Sequence, residues 1–300
     1  MSTITFIGLG SMGRPMAHAL ARAGHDVRGF DVAQSGRDAA EKLGLYTSAS
    51  LPHALEGAEV VISMVPTGKH VRSLYIEAGG LFDSVAIGTL LVDCSTIDVA
   101  TSRAIHAAAT ARGHSFVDAP VTGAVPFAER AALTFMVGGE SQVFERVRPT
   151  LLGMGKAIFH VGAGGAGHAM KICNNMMTGM SMVAISEVFA LGEKFGLSYQ
   201  SVFDVVSQGS GSCWALVNYC PVPGPVPTSP ANSGYASKFS MPMMLKDMRL
   251  SQEAADDLGA STPLAACSAA LYQMGVSNGL AQKDFSAIYE LVSGRIGKEA

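Results

Sequence analysis

The run Ile4-Thr5-Phe6-Ile7-Gly8-Leu9-Gly10-Ser11-Met12-Gly13 constrains this chain more than any other stretch, because an amphipathic segment with Met16, Ala17, Leu20 and Ala21 on one side follows at once. A short β-like run, a GxGxxG turn and a helix together form the dinucleotide-binding fingerprint, a context that raises a weak glycine pattern to a strong one. Gly8 permits the tight turn, Gly10 lets a pyrophosphate approach the backbone, and Gly13 lets the helix pack on the strand. Ser11 and Met12 lead into the helix, whose free N–H groups and positive dipole end face the phosphates. A second strand, Val27 to Phe30, ends in Asp31. A carboxylate there accepts both hydroxyls of an adenosine ribose and repels a 2′-phosphate, so the pattern predicts NAD in preference to NADP.

Strand and helix patterns continue to alternate. Glu59 to Val65 is a near-continuous apolar run ending at Pro66, as expected of a strand buried on both faces. Further runs are Leu90 to Asp93, Ser115 to Asp118, Leu133 to Val137 and Ala157 to His160. In an open parallel sheet, ligands bind outside the carboxyl ends of the strands. That rule puts Val65-Pro66, Ser95-Thr96 and Thr122-Gly123 at the same rim as the glycine loop. Ser95 is expected to cap the following helix, and Thr96 and Thr122 to contact ligand directly.

Gly162 to Gly196 opens with a glycine cluster and then runs as an unbroken helix-compatible segment, rich in Met and Ala and free of Pro. Apolar residues nearly surround it, which predicts burial on most faces. Lys171 and Asn175 stand at i, i+4 and share one face. A lysine in such a setting is costly unless it has partners or a task, or snorkels to solvent from near the helix start. After Gly196 the pattern is helical throughout, except for a long ordered loop over Pro221 to Tyr235. Two domains follow from this reading, residues 1–162 and 163–300, an α/β dinucleotide-binding half and an all-helical half.

With 48% hydrophobic and 15% charged residues, a large core or extensive subunit contacts are expected. The balance of 21 basic against 24 acidic residues, without charge blocks, argues against nucleic acid or an anionic membrane as partner. Asn174, Asn175, Thr178, Ser181, Ser186 and Glu187 interrupt the Met-rich segment and count against a membrane span. The five cysteines lack paired metal spacing and read as reduced thiols of a cytoplasmic enzyme, and no metal site is expected. The lone histidines His18, His25, His70, His106 and His160 read as structural.

Several motifs occur together in one order: GLGSMGRPMA, DCSTID at Asp93 to Asp98, DAPVTGA at Asp118 to Ala124, LTFMVGG at Leu133 to Gly139, KICNN at Lys171 to Asn175, PVPG at Pro221 to Gly224 and MLKD at Met244 to Asp247. Through them the whole chain resembles the β-hydroxyacid dehydrogenase family. The resemblance implies a Rossmann-type α/β domain, a long linking helix, an all-α C-terminal domain and an active site in the cleft between the domains. It further implies Lys171 as catalytic lysine with Asn175 beside it, Thr122 and Gly123 on the substrate carboxylate, Thr96 and Lys246 on the cofactor, and Trp214 walling the substrate pocket. Dimers or tetramers of like subunits are also implied. The substrate is then a small β-hydroxy acid, for which hydroxyisobutyrate and serine both qualify, and a semialdehyde reductase is the sibling alternative. A non-catalytic relative would lack the lysine that stands here at position 171. Thr122-Gly123-Ala124 replaces the family's usual Ser-Gly-Gly, and Cys220 stands where close relatives carry Asn, so both are expected to reshape the pocket.

Overall fold

The computed structural model describes residues 1–296 and divides into two compact units, one up to Lys171 and one from Ile172 onward. The division falls inside the long helix, Ala166–Lys194, whose first turns belong to the first unit.

The first unit is built on a nine-stranded sheet. Its strands are β1 (Thr3–Ile7), β2 (Asp26–Phe30), β3 (Tyr46–Ser48), β4 (Val60–Ser63), β5 (Leu90–Asp93), β6 (Ser115–Asp118), β7 (Val121–Thr122), β8 (Leu133–Gly138) and β9 (Gly155–Gly162). The order is β3-β2-β1-β4-β5-β6-β8-β7, with β9 paired to β8. From β3 to β6 every pairing is parallel, the doubly wound arrangement that the glycine fingerprint requires. Strand residues alternate between two cores, as the two-residue period of a strand demands. Val60, Ile62, Leu90 and Val92 pack with Phe6, Met16 and Leu20 on one side, while Val61 and Leu91 pack with Tyr75, Leu81 and Phe116 on the other. Each such fully buried side chain contributes about 1.5–3 kcal/mol.

The sheet is parallel-dominated but not parallel throughout: the direction reverses at β8. That strand runs antiparallel to β6, touching it at Asp118↔Gly138, and antiparallel to β7 through Val121↔Phe135 and Thr122↔Thr134. Pro120 lies between β6 and β7, and its carbonyl accepts from Met136 N–H, so one extended segment is divided by a residue that cannot donate. Thr122 therefore lies on an extension past the rim rather than on the rim itself, four residues beyond Asp118 or roughly 13 Å at strand rise.

The second unit is helical. After the long helix come Tyr199–Gln208, Trp214–Tyr219, Met241–Leu258 and Pro263–Gly275, ending in the short helix Ile288–Val292. Its core gathers Met182, Phe189, Met244, Met248, Tyr272 and Tyr289. A side chain at Gly179 would stand 2.5 Å from Met248 Sδ, so glycine is what lets Met241–Leu258 lie close to the long helix. Buried Asp284 ties this unit's loops together, accepting from Tyr219 Oη, Lys238 N–H, Phe239 N–H and Ser286. The long helix is less enclosed than its composition suggests. Met170, Met177, Val188 and Leu191 are exposed, and at about 3.6 residues per turn their separations of seven, eleven and three residues put them on one face as an apolar stripe. No helix among the described residues is long and apolar enough to cross a membrane.

Candidate active site

The glycine loop fits a dinucleotide for reasons visible in its backbone. Gly8 has φ +94°, and a Cβ there would lie 2.2 Å from Met64 O. A Cβ on Gly13 would lie 1.8 Å from Gly8 O, so the helix Gly13–Arg22 meets the loop only because both positions are bare. Gly10, by contrast, faces open space, which is the room that a pyrophosphate needs. Gly10 and Ser11 are exposed and Met12 is half-buried at the helix N-cap. No side chain caps this helix, and its first turn holds no acid, so its positive dipole end is left for an anion.

Asp31, half-buried at the end of β2, has work in the protein itself. Its Oδ2 accepts from Leu9 N–H at 2.7 Å and its Oδ1 from Ala33 N–H at 2.8 Å. The carboxylate thus braces the glycine loop while keeping lone pairs for ribose hydroxyls. Val65 and Pro66 follow β4, and Thr96 follows β5, all on the neighbouring carboxyl ends. Ser95 does not cap the next helix. Its hydroxyl donates to Asp93 Oδ1 at 2.6 Å and accepts from Val65 N–H at 2.9 Å, and Asp98 is the cap, accepting from Thr101 N–H. A buried carboxylate nearby outcompetes the helix end for this hydroxyl.

Thr122 is half-buried at the end of β7, and Gly123 has φ +138°, a conformation closed to side chains. Ala124, next in line, is held at φ +56°. Lys171 does not snorkel: it is 8% exposed, and Asn175, one turn on, is 6% exposed. In the second unit Asn175 Nδ2 donates to Asp247 Oδ2, and its Oδ1 accepts from Asn174 Nδ2 at 3.0 Å. Asp247 is 3% exposed, and Lys246 Nζ stands 3.2 Å from its other oxygen. Asp247 was legible only as the neighbour of Lys246, yet it is the residue that orients Asn175. Trp214 is half exposed and stacks on Tyr219, which stacks on Phe285. Cys220 lies fully buried in the second unit's core with its thiol pushed up to about 11 by burial, so it acts on any pocket only through packing.

A second feature missed in the sequence is His168, buried three residues before Lys171. Its ring meets Ser102 Oγ and Ser95 C=O, each at 3.0 Å, and lies between Asp118 and Asp93. His106, read as structural from sequence, bonds the other side of Asp118 at 2.7 Å. A cavity of about 550 Å³ elsewhere, lined by Ser2, His25, Glu59 and Arg146, opens at the opposite ends of the strands and takes no part in this arrangement.

Residues 3–162 match a family model described as the NAD binding domain of 6-phosphogluconate dehydrogenase. Residues 165–292 match one described as NAD-binding of NADP-dependent 3-hydroxyisobutyrate dehydrogenase. A probable 3-hydroxyisobutyrate dehydrogenase of Mycobacterium tuberculosis is 45% identical over 295 residues, covering 98% of this chain and 99% of its own. From Pseudomonas aeruginosa, a 3-hydroxyisobutyrate dehydrogenase is 44% identical, covering 98% of this chain and 100% of its own, and an NAD-dependent L-serine dehydrogenase is 42% identical, covering 97% and 98%. A solved structure of the M. tuberculosis 3-hydroxyisobutyrate dehydrogenase with L-serine superposes with a TM-score of 0.90 at 45% identity, over 97% of this chain and 99% of that one. The chain belongs to the β-hydroxyacid dehydrogenase family, alongside the 3-hydroxyisobutyrate dehydrogenases, and is an NAD-binding oxidoreductase.

Proposed function

We propose that the chain oxidises small β-hydroxy acids, 3-hydroxyisobutyrate to methylmalonate semialdehyde first among them, with Lys171 as general acid/base. The observation that carries this reading is a buried lysine one turn from a buried asparagine whose amide is already oriented by Asp247. NAD, when bound, supplies the hydride acceptor. In its neutral form Lys171 takes the hydroxyl proton as the C–H bond breaks. In the reverse direction its ammonium returns that proton to the alkoxide. Asn175 keeps one amide hydrogen and one lone pair beyond the bonds it makes, enough to hold the lysine or the substrate in line. Thr122 Oγ1 and Gly123 N–H bind the carboxylate, a charge-assisted grip at a strand end. Gly8, Gly10, Ser11, Met12, Gly13, Asp31, Val65, Pro66, Thr96 and Lys246 bind the cofactor, and Trp214 walls the substrate.

L-serine is the second substrate in this reading, because a relative at 42% identity is named for that activity and the superposed structure is described with L-serine. We further propose a cytoplasmic homodimer or homotetramer serving valine breakdown. The exposed apolar stripe on the long helix and the free cysteines support that assignment. A panel of 3-hydroxy acids assayed for NAD reduction tests the function. Turnover of hydroxyisobutyrate or serine is expected, and inactivity on every 3-hydroxy acid would refute it. Light scattering returning the 31.1 kDa monomer mass would refute the assembly.

A further inference from the structure

A buried polar cluster that the proposed reaction does not use lies where β5, β6 and the start of the long helix meet, wholly inside the first unit. His168 is its centre, with a side chain 1% exposed between two carboxylates that are fully buried. Ring Nδ1 reaches Ser102 Oγ at 3.0 Å and Asp118 Oδ2 at 3.2 Å. Ring Nε2 reaches Ser95 C=O at 3.0 Å and lies 3.7 Å from Asp93 Oδ2. That second oxygen of Asp93 has no hydrogen-bond partner among the described residues, so the histidine ring is the cation that faces it. Asp118 also grips the helix backbone, accepting from Gly165 N–H at 2.8 Å and His168 N–H at 2.9 Å. The contact is close because Gly167 is bare: a Cβ there would stand 2.4 Å from Met136 O and 2.7 Å from Asp118 Oδ2.

Burying two carboxylates and an imidazole is expensive, and apolar packing of equal volume is often as stable. Such a cluster therefore contributes direction more than stability. Its bonds converge on one turn of helix, and Lys171 is the next turn, a rise of about 4.5 Å along the axis. Its other end is the loop after β5: Ser95 C=O receives the ring, Ser95 Oγ holds Val65 N–H, and Thr96 follows directly. We propose that His168 is a positioning residue for Lys171, locking the lysine's helix to the loops after β4 and β5 through its Nε2 contact with Ser95. This inference rests on the reading of Lys171 as the acid/base. A reacting group displaced by about 1 Å loses on the order of 10²-fold in rate, so the lock is worth that much in kcat.

Two amides separate this role from simple core filling. In His168→Gln the side-chain nitrogen can stand where Nε2 stands, whereas in His168→Asn it reaches only the Nδ1 position. His168→Gln is expected to keep kcat near wild type. His168→Asn is expected to lose about 10–100-fold in kcat at saturating NAD and hydroxy acid, with NADH affinity by fluorescence unchanged. Amide exchange at residues 168–172 of the NAD-free protein should speed up in the Asn variant and not in the Gln variant. Wild-type kcat in both, equal loss in both, or a fall in kcat matched by an equal loss of NADH affinity would each overturn the proposal. If the Asn variant does not fold, loss of kcat by a folded Gln variant overturns it. Lys171→Ala is assayed beside them. Should it turn over normally, the lysine reading falls and this proposal with it, whereas an inactive Lys171→Ala beside a fully active His168→Asn removes the proposal alone.

Discussion

Replacing Asp31 tests the cofactor site and the loop that builds it in one experiment. Each carboxylate oxygen accepts one backbone N–H, from Leu9 at 2.7 Å and Ala33 at 2.8 Å. In Asp31→Asn one oxygen becomes an NH₂ facing an N–H, so one bond is lost and the other loses its charge. The cost is about 1.5–3 kcal/mol, the range for hydrogen bonds to charged groups. At roughly 2–4 °C per kcal/mol, the NAD-free protein should melt about 3–12 °C lower. NAD affinity should fall further, by about 10–150-fold, because the ribose loses its own charged acceptor. NADP should suffer less, since removing the carboxylate also removes repulsion of the 2′-phosphate, and the Arg37 guanidinium sits on the carbonyls of Asp31 and Val32. Thermal unfolding without cofactor and fluorescence titration with NADH and NADPH measure the two effects separately. An unchanged melting temperature would refute the bracing role, and equal losses for the two cofactors would refute the ribose contact.

Thr122→Ser should keep kcat/KM on hydroxyisobutyrate, while Thr122→Val should lose about one to two decades if the hydroxyl binds the carboxylate; a silent Val variant removes Thr122 from the site. Asp247→Ala should lower kcat by about 5–150-fold by leaving the Asn175 amide without its acceptor, with Asp247→Asn losing less because an oxygen remains. Equal kcat in all three proteins would show that Asn175 needs no orientation. Ala124→Gly should raise the melting temperature, since a left-handed alanine costs about 1–2 kcal/mol and glycine's extra chain entropy offsets only part of that. Stability should be greatest on the acid side of neutrality and decline as pH rises. The flanking carboxylates, opposed by burial, hold His168 above the usual histidine range, so its contribution is complete below the unfolded pKa of about 6.5 and is lost as pH passes the raised folded value. Asp118 is held below the usual carboxylate range by His106 and His168 against its burial, so its contribution is present above an unfolded pKa of about 3.9 and fades only as pH falls toward the depressed value. Melting curves from pH 5 to pH 9 check this, and an equal alkaline slope in His168→Gln would contradict it.

The parts legible in the sequence are those whose signal is local. Strands β1, β4 and β5 announce themselves by apolar runs, and the glycine loop by spacing that only its own backbone contacts require. β3 passed unnoticed because three mixed-polarity residues at a sheet edge carry no periodicity, and β7 because Pro120 breaks the run before it. The direction of β8 is not encoded in β8 at all, since a buried strand reads the same either way. His168 and Asp247 were missed for a related reason. Their partners lie 50 to 73 residues away along the chain, at Asp118, Ser102, Ser95 and Asn175, and nothing adjacent marks them. Lys171 was legible because a charge in an apolar helix is a local anomaly.

The reversal at β8 is also what delivers the lysine to the carboxyl rim. An antiparallel strand aligned along the whole of β6 would carry the chain to the opposite edge of the sheet, far from the glycine loop. Here the ladder with β6 is confined to Asp118↔Gly138, and the rest of β8 pairs with β7 beyond the rim. β9 runs parallel to β8 and ends at Gly162 opposite Gly138, level with the end of β6. The long helix therefore starts where Asp118 can cap it, and a negative charge at a helix N-terminus is favourable there. The offset register of a hairpin interrupted by Pro120, and not any signal within the helix, fixes the height at which Lys171 stands relative to the loops after β4 and β5. Lengthening the β7–β8 connection should leave that height intact, whereas shifting the β6–β8 register by even two residues would move Gly138 and the helix start by about 7 Å and carry Lys171 away from the loops after β4 and β5.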